Sequence, residues 1–289
     1  MGKETTMKKA LLVGINYPGT DHALRGCIND VVAMSEILSK DYGFDAKNKR
    51  MLTDASATTE NILNRLEWLV DGAKAGDLLY FHYSGHGSQF VDQRYDNDFE
   101  PDGLDEILCP IDLNWRDKII KDDDLRDIFA KVPEGVNLTV MLDCCHSGSG
   151  IDVGQANENV TYTTRSMIPE LSGPNLSRNL PAPMDIMNRG IGLNITNKPK
   201  TVAEDNKGVL ISGCQSNQTS ADAWMHNKFM GAATYFLIQA LEQTTAYSSI
   251  VEHMNFNLIA HGYTQRPQFN GNDYYRNQNF LEPLQQTIL

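Results

Sequence analysis

LLYFHYSGHGS (residues 78–88) and LTVMLDCCHSG (residues 138–148) decide how this chain is read. Each opens on an apolar or β-branched run too short for a helix and stops in glycine and small polar residues, the pattern of a strand buried on both faces. ALLVGI (10–15) and VLISGC (209–214) repeat it. Near-continuous apolar strands belong to parallel sheets covered on both sides. Helical periodicity fills the gaps: Val31, Met34, Ile37 and Leu38 share a face over 27–40, and Ile62, Leu66, Leu69 and Val70 share one over 58–73. Two further helices are predicted over 230–243 and 247–260. The βαβα alternation implies an α/β chain whose mostly parallel central sheet is flanked by helices on both faces. Ligands of such sheets collect beyond the carboxyl ends of the strands. SGHGS (84–88), DCCHSG (143–148) and SGCQSNQTSADA (212–223) all fall there.

Composition narrows the class of function. With 289 residues, 41% hydrophobic and 21% charged, the chain suits a globular α/β domain rather than a disordered or fibrous one. A net charge of -12 disfavours nucleic acid and anionic membranes as partners and favours cations or basic substrates. No window approaches the roughly 20 apolar residues of a membrane span. The run after Lys8 and Lys9 is too short for a signal peptide, so export is not expected. Met1-Gly2 with Thr6 meets a loose myristoylation pattern that is read as chance. Five cysteines, an odd number with Cys144 and Cys145 adjacent, do not form a secreted disulfide framework and fit a reducing cytoplasm.

Between about 150 and 207 periodicity is lost in Asn, Pro, Ser, Gly and Thr. This is a long connection rather than a domain, and connections of that length are usually functional or disordered. It carries Arg165, Arg178, Arg189, Lys198, Lys200 and Lys207. No internal repeat is evident.

Cys145 and His86 each follow a strand, in glycine-bearing turns. A thiol nucleophile needs a base within reach, and neighbouring glycines let backbone N–H groups approach a developing oxyanion. The bland alternative is a buried cysteine and a satisfied turn histidine. Zinc is a third option, but no CxxC or HExxH spacing supports it. Residues 92–127 hold thirteen Asp and Glu against five Lys and Arg, which reads as a solvated face or a cation site. DFEPDG (98–103) superficially starts an EF-hand loop, but Pro101 intrudes and Cys109 stands at the twelfth position, so an EF-hand is rejected.

KKALLVGINY, LRGCINDV, YFHYSGHGSQ, DGLDEILCPID, IIKDDDL, LDCCHSG, LISGCQSNQTSADA and GAATYFL, in that order from about residue 8 to 270, resemble the metacaspases of the caspase-like clan of cysteine peptidases. The resemblance implies a single caspase-like domain over 1–289, with a large catalytic part at 7–154, a connector at 155–207 and a small part at 208–289. The motif order looks like a minimal or type I-like form without a prodomain. By this resemblance His86 is the catalytic histidine and Cys145 the nucleophile, Cys144 standing where serine is common. The N–H groups of Gly87 and Cys145 would form the oxyanion hole, with no third catalytic side chain. Cys27, Asp30, Ser84 and Asp143 would line a pocket for Arg or Lys of a polypeptide substrate. Asp105, Asp122, Asp123 and Asp152 would bind Ca²⁺, whose hard oxygen ligands they supply. Self-cleavage in the connector is expected after Arg178 or Arg189, in a chain expected to be a monomer. The competing expectation is a catalytically silent caspase-like binding or scaffold protein.

Overall fold

The computed structural model describes residues 6–91, 104–145, 162–167, 208–215 and 218–284. In chain order the first strands and helices are β1 (Lys8–Gly14), α1 (Cys27–Lys40), β2 (Lys49–Thr53), α2 (Thr59–Val70), β3 (Leu78–Ser84), β4 (Gly87–Val91), β5 (Leu104–Leu108), β6 (Ile120–Lys121), α3 (Asp122–Phe129) and β7 (Asn137–Asp143). They are followed by β8 (Tyr162–Thr164), β9 (Val209–Ser212), β10 (Ala221–Met225), β11 (Lys228–Gly231), α4 (Ala232–Leu241), α5 (Tyr247–Ala260), β12 (Gln268–Asn270) and α6 (Asp273–Arg276).

Six strands form the central sheet in the order β12-β9-β7-β3-β1-β2, every pairing parallel except β12 with β9. The expected sheet is present. Its two faces bury separate cores. Leu11, Val13, Phe81, Val140 and Leu142 meet Ile62, Leu66 and Leu69 of α2 and Leu125, Ile128 and Phe129 of α3. Leu12, Tyr80, Met141 and Ile211 meet Val31, Met34 and Leu38 of α1, Phe236 and Leu237 of α4, and Ile250, Met254 and Leu258 of α5. Each such side chain stabilises the fold by about 1.5–3 kcal/mol relative to exposure.

Helix α1 occupies the residues expected of it, and so does α5. Helix α2 stops at Val70, short of 73, because Gly72 turns the chain with φ +68. Helix α4 begins at Ala232, after the expected 230, because Lys228–Gly231 pairs with β10 in a hairpin. That hairpin turns through His226 and Asn227, both at positive φ as a tight hairpin turn requires. Two three-stranded sheets, β11-β10-β8 and β4-β5-β6, flank the central one.

Strand register sets the site. Ser84 of β3 stands opposite Asp143 of β7, and Leu142 opposite Ser212 of β9. The chain leaving these strands therefore sets Gly85-His86, Cys144-Cys145 and Gly213-Cys214 side by side at one edge.

Candidate active site

Of the two adjacent cysteines, Cys144 packs into the apolar core with Leu142 and Cys109, and burial pushes its thiol up. Cys145 lies outside that core: its sulfur accepts from the Ser220 N–H and lies 3.7 Å from the Ser220 carbonyl. Alternation along the strand end separates the two roles.

The turn that holds His86 is stapled from below. Tyr17 accepts from the His86 N–H at 3.0 Å and donates to the Cys109 carbonyl at 2.6 Å, while Tyr83 donates to the His86 carbonyl at 2.8 Å. Tyr17 also packs its ring on the imidazole at 4.7 Å between centroids. The ring Nε2 lies 2.7 Å from the His22 carbonyl. A carbonyl only accepts, so Nε2 carries the proton and Nδ1 is the free lone pair. Nδ1 is buried with no hydrogen-bond partner among the described residues. Burial pulls the imidazole down to about 4, against the support of the His22 carbonyl, which keeps it neutral at pH 7. A neutral, oriented imidazole with a bare Nδ1 is a ready base.

Asp30, Ser84 and Asp143, three of the four expected pocket residues, converge with Asp222 on a single guanidinium, that of Arg165. Arg165 donates to Asp30 at 2.9 Å, Asp222 at 2.8 Å and the Ser84 hydroxyl at 2.7 Å, and it lies 3.4 Å from the Asp143 carboxylate. Arg165, Asp30, Ser84 and Asp143 are fully buried and Asp222 is nearly so. Each acid has further donors: Gly231 N–H on Asp30, Thr234 and Ser220 on Asp143, and the Arg25 and Gly26 N–H groups on Asp222. Burial pushes Asp143 up, but the Arg165 charge and the Ser220 and Thr234 donors outweigh it and hold the carboxyl below its usual range. Asp30 is pushed up to about 7 by burial, against the opposing pull of Arg165. Cys27 is buried beside the pocket, its thiol pushed up by burial and opposed by Arg165. Gly231 is required here, because a Cβ would meet the Asp143 carboxylate and the guanidinium.

Backbone groups complete the arrangement. Gly87 N–H and Cys145 N–H both donate to one acceptor, the Arg165 carbonyl, at 3.1 and 3.2 Å. These are the two N–H groups expected to form an oxyanion hole. Gly87 must be glycine, since a Cβ would run into the Cys145 carbonyl.

Sequence reasoning missed Asp222, Tyr17 and the His22 carbonyl. Asp222 had a signal: a lone acid inside SGCQSNQTSADA, at the carboxyl edge of the sheet. Tyr17 and His22 had none, because their roles come from a loop folding back over the turn. Residues 162–167, inside the expected connector, hold a strand instead of irregular chain, because Tyr162, Thr163 and Thr164 pair with Ala223, Asp222 and Ala221 of β10. Arg178 and Arg189 lie outside the described residues.

Of the expected calcium ligands, Asp122 and Asp123 open α3, where Asp123 pairs with Arg126. Asp105 lies on β5, and the β5–β6 register of Ile107 with Lys121 carries its backbone toward the start of α3. Asp152 lies outside the described residues. Among the described residues no three His, Cys, Asp or Glu side chains gather as a metal site. The carboxylates at this helix start fit a hard cation in donor type, with Asp123 having to exchange Arg126 for it.

Residues 8–154 match the family model described as metacaspase, peptidase C14 domain. Metacaspase-1 of Schizosaccharomyces pombe is 33% identical over 90% of this chain and 66% of its own, and Metacaspase-1 of Debaryomyces hansenii 35% identical over 90% and 64%. The chain thus spans slightly under two thirds of these relatives' length. A crystal structure of a protein from Geobacter sulfurreducens superposes with TM-score 0.66 at 27% identity, covering 96% of this chain and all of that one. Caspase-1 from Spodoptera frugiperda superposes with TM-score 0.54 at 12% identity, covering 92% of this chain and 86% of its own, which shows a caspase-like fold. No helix among the described residues is long and apolar enough to cross a membrane.

Proposed function

This chain belongs to the metacaspase family of caspase-like cysteine peptidases, and from that premise we propose that it is an endopeptidase cutting polypeptides after arginine or lysine, activated by Ca²⁺ and cleaving its own connector. The buried carboxylates of Asp30, Asp143 and Asp222, gathered on one guanidinium beside Cys145, carry this reading. A basic side chain satisfies them, and Arg does so in a planar fork. An acidic side chain would add a like charge to a cluster of buried acids. Five buried cysteines, none paired in a disulfide, support a reducing compartment such as the cytoplasm, and the proposed acting form is a monomer.

The chemistry needs two side chains and two backbone groups. His86 Nδ1 takes the Cys145 thiol proton as sulfur attacks the carbonyl carbon, and the oxygen gathers charge between the Gly87 and Cys145 N–H groups. The C–N bond then breaks, and the same proton leaves with the amine. Water, deprotonated by His86, hydrolyses the thioester and restores the thiol. The His22 carbonyl holds Nε2–H throughout, so Nδ1 keeps its aim. Asp105, Asp122, Asp123 and Asp152 would hold Ca²⁺, which would neutralise their mutual repulsion.

Purified chain assayed on peptides bearing Arg, Lys or Asp at the cut position, in EDTA, Ca²⁺ or Mg²⁺, tests the activity, its specificity and its metal requirement. Arg and Lys peptides should turn over in Ca²⁺, poorly in Mg²⁺, and not at all with Cys145→Ala or His86→Ala. Efficient cleavage of the Asp peptide sinks the specificity, and equal rates in EDTA and Ca²⁺ remove the metal. Tight binding of the Arg peptide with no turnover would favour the silent scaffold.

A further inference from the structure

We propose that residues 162–167 are an internal substrate seated in the active site, that they keep the enzyme latent, and that Arg165–Ser166 is the bond it cuts in its own chain. The inference rests on the Arg/Lys reading above and names the regulation of that site.

The backbone carries the argument further than the side chain. A buried arginine meeting three acids could be a structural anchor, and nothing about an anchor constrains the peptide bond after it. Here the chain is held on both sides of that bond. Before it, β8 pairs with β10 and the Arg165 N–H donates to the Ser220 carbonyl at 3.0 Å. At it, the Arg165 carbonyl takes both oxyanion N–H groups. After it, Ser166 bridges Gly87, the Met167 N–H donates to the Gly87 carbonyl at 3.0 Å, and Ser88 donates to the Met167 carbonyl at 2.6 Å. This is an extended peptide added to a sheet edge with its basic side chain in the specificity pocket, the way a polypeptide substrate binds a strand-lined cleft.

The seated segment is also blocked from reacting as it stands. The Cys145 thiol rests on the Ser220 backbone, and His86 Nδ1 has no partner among the described residues. Attack requires the thiol to swing from Ser220 toward the Arg165 carbonyl carbon, a rotamer change within reach of a small side chain. The Cys145 sulfur then bonds to that carbon, the C–N bond to Ser166 breaks, and the thiol proton passes through His86 to the Ser166 amine. Water completes the step, leaving an Arg165 carboxylate and a free thiol. Until then no outside substrate can enter, because Arg165 fills the pocket and its carbonyl occupies the oxyanion hole. The three carboxylates resist losing the guanidinium they share, so the segment leaves as another cation arrives.

The test uses the full chain as wild type, Cys145→Ala, Arg165→Lys and Ser166→Pro, incubated with Ca²⁺. Intact mass and turnover of an added Arg peptide are both read. Wild type should yield fragments ending at Arg165 and starting at Ser166. Arg165→Lys, which keeps a cation on the carboxylates, should be cut at the same bond, while Cys145→Ala and Ser166→Pro stay whole. Ser166→Pro keeps Arg165 in the pocket, so its turnover of the added peptide should be at least roughly tenfold below processed wild type, the loss expected when the site is open in fewer than one molecule in ten. Full-rate peptide turnover by wild type with its 165–166 bond intact, or first cleavage at Arg178 or Arg189, overturns the internal substrate while leaving the Arg/Lys reading standing. A whole Ser166→Pro chain as active as wild type overturns the latency. Hydrolysis of no basic bond at all, internal or added, overturns the parent reading instead.

Discussion

Asp222 is the residue on which the pocket reading departs from the sequence. It accepts the Arg25 and Gly26 N–H groups at 2.9 Å each, so it ties the start of α1 to β10 as well as facing the guanidinium. Those two N–H groups use different carboxylate oxygens, so Asp222→Asn removes the charge and keeps an acceptor for one of them. Turnover of an Arg peptide by processed enzyme should then fall about a hundredfold in kcat/KM, on the order of 3 kcal/mol, as when one partner of a buried charge pair is lost. Unchanged kcat/KM would make Asp222 a structural cap only. Cys144 and Cys145 give the complementary contrast. Because Cys144 sits in the apolar core, Cys144→Ala should leave peptide turnover largely intact and lower the melting temperature slightly, whereas Cys145→Ala should be inactive and folded. An inactive, well-folded Cys144→Ala would reverse the assignment.

Among the elements, the tight turn from β3 into β4 was legible and the strand β8 was not, for one physical reason. The turn's character is local: glycines flank His86, and the one at 87 is there because a Cβ would strike the Cys145 carbonyl. Gly87→Ala should therefore cost roughly 10²-fold or more in turnover, the usual penalty for disturbing one oxyanion donor, with the central sheet intact by circular dichroism. Near-normal turnover would show that the Cys145 carbonyl can yield. Strand β8 has only three residues, and nothing in Tyr-Thr-Thr distinguishes it from a loop. What fixes it lies far off in the chain: Arg165 finds Asp30 at a separation of 135 residues, Ser84 at 81 and Asp222 at 57. The four buried strands with continuous apolar runs needed no such partners, which is why they were read from their own residues. Strand β2, KRMLT, is an edge strand without a buried residue, and its charges disguised it.

At the scale of the whole molecule, burying titratable groups against the sheet makes stability depend on pH in opposing directions. His82 is fully buried inside β3, accepting from the Tyr80 hydroxyl and donating to Thr234, which itself donates to Asp143. Burial pulls His82, like His86, from 6.5 down to about 4. The unfolded chain therefore takes up these protons first as pH falls, and stability is lost between about pH 6.5 and 4, on the order of 3 kcal/mol for each histidine. Asp30 acts oppositely: with its carboxyl pushed from 3.8 up to about 7, mainly by burial, its stabilising share is present in acid and lost as pH rises through 7. The net slope mixes these contributions, so a difference between two proteins is needed to isolate one. In a Cys145→Ala background, which keeps the chain whole, denaturant unfolding should be measured at pH 7.5, 6, 5 and 4.5 with and without His86→Ala. Removing His86 leaves Asp30 and His82 in place and deletes one proton uptake from the unfolded chain. The fall in stability from pH 6.5 toward 4 should shrink by on the order of 3 kcal/mol, whatever the sign of the remaining slope. Parallel curves for the two proteins would mean that His86 titrates alike folded and unfolded, and burial would no longer account for its neutrality.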